Sequence, residues 1–247
     1  MTHTPDSPRD EDAADASVEP IVASGVDDEA VEPNRRVFQG GKWWLFGVLA
    51  VAYTVFHLVS LNIYPIETWS FRIIHIAGAL ILGFGLYTGS RFVEDGQDGA
   101  PRWASVIALA LLLPAGYALI QVVLMQQTMA GGAMRIEPAI ENWHYGAPLI
   151  LATVGAIALS WFPRQARHQL LLADVVLMVC AAAVAGYLLV VFNSPLRAST
   201  GTSFAPMGIS WAAISGSLLI LELTRRVAGL ALVVISAIFL AYVFMGP

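Results

Sequence analysis

The chain has 247 residues, of which 57% are hydrophobic and 13% are charged, and its formal net charge is −5. A composition this apolar excludes an ordinary soluble protein and predicts an all-α, polytopic membrane protein with six to seven transmembrane helices. The charge is unevenly spread: residues 1–34 hold ten of the eighteen acidic residues and one arginine, whereas the remainder carries eight acidic and twelve basic residues. This division predicts an acidic arm on a basic membrane body.

The first element is the acidic arm, residues 1–40, which is rich in Asp, Glu, Pro and Ala and poor in aromatic residues. Such a segment cannot bury enough apolar surface to offset the entropy of ordering it, so we predict a disordered cytoplasmic tail. The first apolar stretch begins only at about residue 43. A signal peptide is therefore not expected.

Residues 41–247 are predicted to form a helical transmembrane domain, because a helix of about 20 apolar residues crosses the hydrocarbon layer. The fourth and sixth apolar stretches are short enough to be tilted, re-entrant or interrupted, which leaves six or seven spans. The stretches are 43–63, 71–90, 103–125, 146–162, 169–192, 206–223 and 227–246. The segment 126–145 between the third and fourth stretches is polar enough to be predicted as a loop outside the membrane.

The basic residues predict an orientation. With the N terminus in the cytoplasm, nine Lys or Arg residues fall on the inner side and only Arg72, Arg135 and Arg197 on the outer side. Cytoplasmic loops carry the excess of Lys and Arg, so this orientation in the cell (inner or plasma) membrane is expected. The tryptophans fall near the predicted ends of the spans, as an aromatic belt requires.

Small residues and one proline predict how the spans pack. Gly208, Ala212 and Gly216 recur every four residues, and Gly85 with Gly89 forms a GxxxG pair. Such stripes allow two helix backbones to approach closely, although small residues are also common in membrane helices without making contacts. Pro114 is expected to kink the third span.

An inner-face cluster of charged residues is the first candidate site. Asp174 lies near the start of the fifth span, and an ionisable group within a span is costly unless it is paired. Glu222, Arg225 and Arg226 are predicted at the same depth, as are Arg164 and Arg167. Three alternatives remain open: a structural ion pair of Asp174 with an arginine, interfacial snorkelling without pairing, and an ion or proton site.

Three histidines, His57, His75 and His144, are predicted in the outer part of the membrane or at its outer edge. Two histidines at similar depth on neighbouring helices satisfy the requirement for bis-imidazole haem ligation. A haem-binding membrane anchor of a redox complex is therefore the alternative function, beside the plainer interpretation of histidines hydrogen-bonded within a bundle.

Other chemistry has little support in the sequence. No P-loop, HExxH or GxSxG motif with candidate partners is present, so no catalytic, cofactor-binding or metal residues are expected, nor is an enzyme. Cys180 is the only cysteine, which excludes an intrachain disulfide. The arginines are spread over the membrane faces, a pattern that does not suggest nucleic-acid binding.

The C-terminal segment carries a family resemblance. Its characteristic residues are Leu221-Glu222, Thr224-Arg225-Arg226, Gly229, Phe239-Leu240, Tyr242 and Gly246. This pattern resembles the fused permeases of tripartite ATP-independent periplasmic (TRAP) transporters, in the branch associated with TAXI-type binding proteins. The run Phe71-Arg72-Ile73-Ile74-His75 is similar to the start of a helix in the same permeases, and Asp174 and Tyr187 match the two ends of another.

The resemblance implies a secondary transporter in which a large permease subunit takes a carboxylate from a periplasmic TAXI-type binding protein, driven by a sodium gradient. The small-subunit helices then act as a scaffold in the lipid bilayer, and Asp174, Glu222, Arg225, Arg226, Arg72 and His75 are the residues expected to serve structure or assembly. Two departures are evident. The stretches 103–125 and 146–162 have no counterpart, and the sequence stops where fused permeases continue into the large domain. A small-subunit-like portion that needs a large partner is therefore expected.

Overall fold

A computed structural model describes residues 34–92 and 101–246, and it is all-helical, as predicted. Each predicted apolar stretch corresponds to one helix, with ends that differ by a few residues. The helices are α1 (Gly41–Asn62), α2 (Thr68–Leu86), α3 (Arg102–Ala130), α4 (Ala147–Ser160), α5 (Leu172–Phe192), α6 (Gly208–Ala228) and α7 (Leu230–Met245). A π-helical turn, Ile140–Gly146, runs directly into α4, and a short 3-10 helix, Pro195–Ser199, follows α5.

Five of the described helices are long and apolar enough to cross a membrane: α1, α2, α3, α5 and the continuous helix made by the π-helical turn and α4. The chain is thus a multi-pass helical membrane protein. The other two helices, α6 and α7, do not meet this criterion of length and apolar composition. α6 ends in three charged residues, Glu222, Arg225 and Arg226, and α7 has only 16 residues.

The helix α5 is the centre of the bundle, and it packs against α2, α3, α4 and α6. Its buried face is mostly Ala, Val and Leu, with Asp174, Cys180 and Tyr187. Small side chains allow the neighbouring helices to approach closely. On α6 the predicted small-residue stripe does face α5: a Cβ at Gly208 would collide with Tyr187, and Ala212 is buried.

The helices α1 and α7 lie at the edge of the bundle. Among the described helices, α1 contacts only α2, and α7 contacts only α6. The α1–α2 contact is close because a Cβ at Gly78 would meet Tyr53 and a Cβ at Gly85 would meet Phe46. A single residue, Gly229, joins α6 to α7.

Three boundaries differ from the sequence analysis. The predicted loop 126–145 is too long: α3 continues to Ala130 and the π-helical turn begins at Ile140, and the Thr128 hydroxyl is satisfied within α3 by donating to Leu124 O at 2.9 Å. The GxxxG pair is not a helical stripe, because α2 ends at Leu86, before Gly89. Pro114 marks no boundary, because α3 continues on both sides of it.

The third difference concerns the tail. Residues 1–33 lie outside the described residues, but 34–40 are part of the folded body, where Arg36 and Phe38 are buried. The amide of Arg36 donates to Leu86 O at 2.8 Å, and Val37 N donates to Arg167 O at 3.1 Å. We name this end of the bundle the arginine end (residues 34–40, 87–92, 161–171 and 222–229) and the opposite one the loop end (63–67, 131–139 and 193–207).

Candidate functional site

The buried carboxylate of Asp174 is the centre of the charged cluster at the arginine end. It lies in the first turn of α5 with no exposed surface. Arg226 on α6 donates from Nη1 to Oδ1 at 2.7 Å, and Arg36 donates from Nη2 to Oδ2. Both guanidinium groups are also fully buried. Asp174 is therefore held in a two-sided ion pair that joins α5, α6 and the segment before α1.

Arg36 is the member of the cluster that the sequence analysis did not assign to it. Its Nη1 also donates to the carbonyls of Phe84 and Gly85 at 2.8 and 2.9 Å, at the C-terminal end of α2. The last carbonyls of a helix lack partners in the helix and carry partial negative charge, so a cation satisfies them well. In the sequence Arg36 is an ordinary flanking arginine beside Arg35, which is exposed. No pattern distinguishes the two.

Glu222 is the second acid of the cluster, and it is 4% exposed. Its carboxylate accepts from Nε of Arg226 at 2.8 Å and from both Nε and Nη2 of Arg225 at 2.8 Å. Trp161 donates from Nε1 to the same carboxylate at 3.2 Å. Arg225 in turn donates to Gly89 O at 2.9 Å, so the end of α6 is tied to the loop after α2.

Burial of these charged groups costs free energy, even though they are hydrogen-bonded to one another. Three arginines face two acids, and within the described residues Arg36 Nε and Arg226 Nη2 have no hydrogen-bond acceptor. A buried ion pair gains little net stability over an apolar replacement, but removal of one partner costs several kcal/mol because it leaves a buried charge alone. All four acid oxygens are engaged by arginines. The arrangement therefore resembles a structural clamp more than an ion or proton site.

The remaining predicted charges do not join this cluster. Arg164 and Arg167 are exposed, and the guanidinium of Arg167 lies 4.8 Å from the ring centroid of Phe92. Arg72 lies outside the cluster, near the start of α2, where it contacts the ring of Trp69 at 5.5 Å. His75 is also remote from the cluster, in the middle of α2.

A third buried acid, Glu141, was missed because the sequence analysis assigned residues 126–145 to a loop. It lies in the π-helical turn and is 2% exposed. Tyr187 on α5 donates its hydroxyl to Oε1 at 2.6 Å, and the amide of Met207 donates to Oε2 at 2.8 Å. Met207 precedes the first turn of α6, so Glu141 caps that helix from a different helix. The signal present in the sequence is Glu141 itself, the one acid close to the fourth apolar stretch.

The histidines divide into two separate groups. Nε2 of His57 and Nδ1 of His75 are 2.7 Å apart, across the α1–α2 contact. His144 lies elsewhere, beside Tyr117 of α3. A metal ion between two imidazoles lies about 2 Å from each nitrogen, which sets the nitrogens about 4 Å apart. The observed pair leaves no room for iron between these nitrogens, so the geometry does not favour the haem alternative, which stays a prediction.

Within the described residues, no three His, Cys, Asp or Glu side chains are grouped so as to hold a metal ion. The candidate site is therefore the arginine cluster, with Glu141 as its counterpart at the loop end. Comparison with protein-family models, with curated proteins and with solved structures finds no match to this chain.

Proposed function

We propose that this chain is a membrane scaffold, similar to the small subunit, of a TRAP-type secondary transporter. In this proposal it holds a large permease subunit in the cell membrane. The large subunit carries out ion-gradient-driven uptake, with sodium as the family's coupling ion, of a carboxylate delivered by a periplasmic TAXI-type binding protein. The residues from Leu218 to Gly246 support the family, and the geometry of the bundle supports the scaffold role.

The observation that carries the scaffold role is the isolation of α7. Every described side chain of this helix is exposed except Val233 and Ser236, which are half-buried. Its 16 residues span about 24 Å at 1.5 Å per residue, less than the roughly 30 Å of a hydrocarbon layer. An apolar helix this short, with one neighbour in its own chain, is suited to packing against another membrane subunit.

The distribution of charge also supports a scaffold. In the described helices every Asp, Glu, Lys and Arg lies within about two turns of a helix end. Substrate sites of secondary transporters are instead formed near the midplane by broken helices that carry several polar groups. The ion pairs of Asp174, Arg36 and Arg226 connect helices at one end of the bundle, which is what a rigid support requires.

The arginine end is proposed to face the cytoplasm. Among the described residues, the arginine end and the helix termini beside it expose Arg35, Lys42, Arg91, Arg102, Arg164 and Arg167. The loop end and the helix termini beside it expose both signs, with Glu67, Arg72, Arg135, Glu137 and Arg197. The excess of Lys and Arg on cytoplasmic loops supports this orientation.

The test is an affinity purification from native membranes in mild detergent, with a photoreactive amino acid at Phe239 on α7. Leu113, an exposed residue of α3, is the matched control position. The expected result is a covalent link from position 239, and not from position 113, to a large polytopic permease. Recovery of the chain alone, or with redox subunits and bound haem, would contradict the proposal.

A further inference from the structure

The hydrogen-bonded histidine pair, His57 and His75, lies at the outer surface of the bundle, across the α1–α2 contact. His75 is exposed and lines an open cavity of about 410 Å³ between α2, α6 and the start of α7. The other residues around this cavity are apolar except Thr224, whose hydroxyl donates to Ile220 O within its own helix at 2.8 Å. An imidazole is thus the polar feature of an otherwise apolar membrane cavity.

The neighbours of the pair determine the direction of each hydrogen bond. Nδ1 of His57 lies 2.7 Å from Tyr53 O, and a carbonyl only accepts, so this nitrogen carries the proton. In the uncharged imidazole Nε2 of His57 is then an acceptor, and Nδ1 of His75 donates to it at 2.7 Å. The Tyr53 hydroxyl donates to His75 O at 2.9 Å and lies 2.9 Å from the same Nδ1.

This pattern leaves Nε2 of His75 without a proton and with a free lone pair. No described residue donates a hydrogen bond to it, and the hydrocarbon layer contains no water that would do so. An unpaired acceptor in an apolar medium is unfavourable. A group that enters the cavity and carries a hydrogen-bond donor would therefore be electrostatically complementary to it.

We propose that this cavity receives a transmembrane helix of the partner subunit, which donates a hydroxyl or amide hydrogen bond to Nε2 of His75. The inference rests on the proposed function and names what the partner has to bring. Two features favour a protein helix as the occupant. An acyl chain has no donor for the imidazole, and Leu232 of α7 lines the same cavity, so the cavity and the exposed α7 form one continuous surface.

The test places a photoreactive amino acid at Ala79, an exposed residue that lines the cavity, in the full chain in native membranes, with Leu113 again as the control position. The expected product joins Ala79 to an apolar helix of the permease that contains Ser, Thr, Asn, Gln, Tyr or Trp. His75→Phe should lower the yield of this product about threefold to twentyfold, the range for one interhelical hydrogen bond. His75→Gln, which keeps an acceptor, should retain most of it.

The helicity and elution volume of each variant are compared with those of the parent. If His75→Phe does not fold, Ala228→Leu, which places a larger side chain in the cavity from α6, should abolish a link formed from a photoreactive amino acid at Ile76, another exposed residue that lines the cavity. Unchanged yield in His75→Phe, or products with lipid alone at position 79 while position 239 still links the permease, would overturn this inference and leave the scaffold proposal standing. Absence of a link from both positions would overturn both.

Discussion

Asp174 and Glu141, two buried acids at opposite ends of the bundle, are stabilised in different ways. Asp174 at the arginine end is bonded to two arginine side chains. Among the described residues, no cation pairs with Glu141 at the loop end: it accepts from the hydroxyl of Tyr187 and from the backbone at the start of α6. The charge of Asp174 is balanced by guanidinium groups, whereas that of Glu141 is stabilised by the dipole of α6 and by a phenol hydroxyl. The first therefore connects distant segments strongly and is intolerant of change, whereas the second fixes the position of one helix terminus.

The largest effect is expected from Asp174→Asn, which breaks the arginine end. The variant keeps the size of the side chain but leaves Arg36 and Arg226 buried without their shared acid, so unfolding should become easier by about 3–5 kcal/mol. Cys180 is the only cysteine and is buried, so a thiol-reactive fluorophore reports unfolding on heating. The exposed Glu137→Gln is the control. Equal melting temperatures of the two variants would contradict the clamp.

Glu141→Gln should weaken the loop end by a smaller amount, about 1–3 kcal/mol, because it removes a charged acceptor without leaving a cation unpaired. The same thiol-labelling measurement applies. The double variant with Asp174→Asn should show additive losses, since the sites lie at opposite ends of the bundle. If Glu141→Gln proves as damaging as Asp174→Asn, the distinction between the two sites fails.

Arg225→Gln tests a partly exposed member of the cluster at the arginine end, for which a smaller loss of stability is expected. This side chain is 24% exposed, and Glu222 keeps its bond to Arg226 in the variant, so a loss of about 1 kcal/mol is expected. The tie to Gly89 is also lost, and under the scaffold proposal less permease should co-purify. A variant that melts like the parent and recovers the permease in full would mean that Arg225 serves neither stability nor assembly.

Glu67 is an exposed helix cap that, unlike Glu141, also has a cation partner, because Arg197 Nη1 lies 3.2 Å from its Oε1, and the smallest effect is expected there. It caps α2 by accepting from the amides of Ser70 and Trp69, and the bond from Ser70 is the main reason that its pKa is lowered. A lowered pKa in the folded state means that the stabilisation is present above the ordinary pKa and is lost as pH falls through the lowered one. Glu67→Gln should thus melt earlier than the parent at neutral pH, and the difference should shrink as pH falls below the ordinary pKa of a glutamate. A difference that persists at acidic pH would argue against the carboxylate cap.

Helices were predictable from this sequence because hydrocarbon imposes a length and an apolar composition on each span. The grouping of Asp174 with Glu222, Arg225 and Arg226 was predictable too, because a shared depth follows from the positions of the spans. What depth does not specify is which side chain turns inward. Arg36 and Arg35 are equivalent in the sequence, and only the packing of residues 34–40 against the end of α2 separates them.

Glu141 escaped prediction for a related reason. Its neighbours Pro138 and His144 resemble a loop in composition, and the fit of the carboxylate to the start of α6 depends on a contact between segments some 66 positions apart. The unusual π-helical winding at this point has no counterpart in hydrophobic periodicity. Long-range capping of this kind can be recognised only once the helices are placed.

Only Gly229 lies between α6, which carries the ion-paired arginines, and the exposed helix α7. Gly229 has φ 85° and ψ 175°, a conformation open essentially to glycine alone. The residues just before it, Arg225 and Arg226, are anchored to Glu222, Asp174 and the loop after α2. The ion pairs of Arg225 and Arg226 therefore hold the point from which α7 leaves the bundle. Substitution of one acid at the arginine end should therefore change the direction of α7, whose far end lies about 24 Å from Gly229 along the helix.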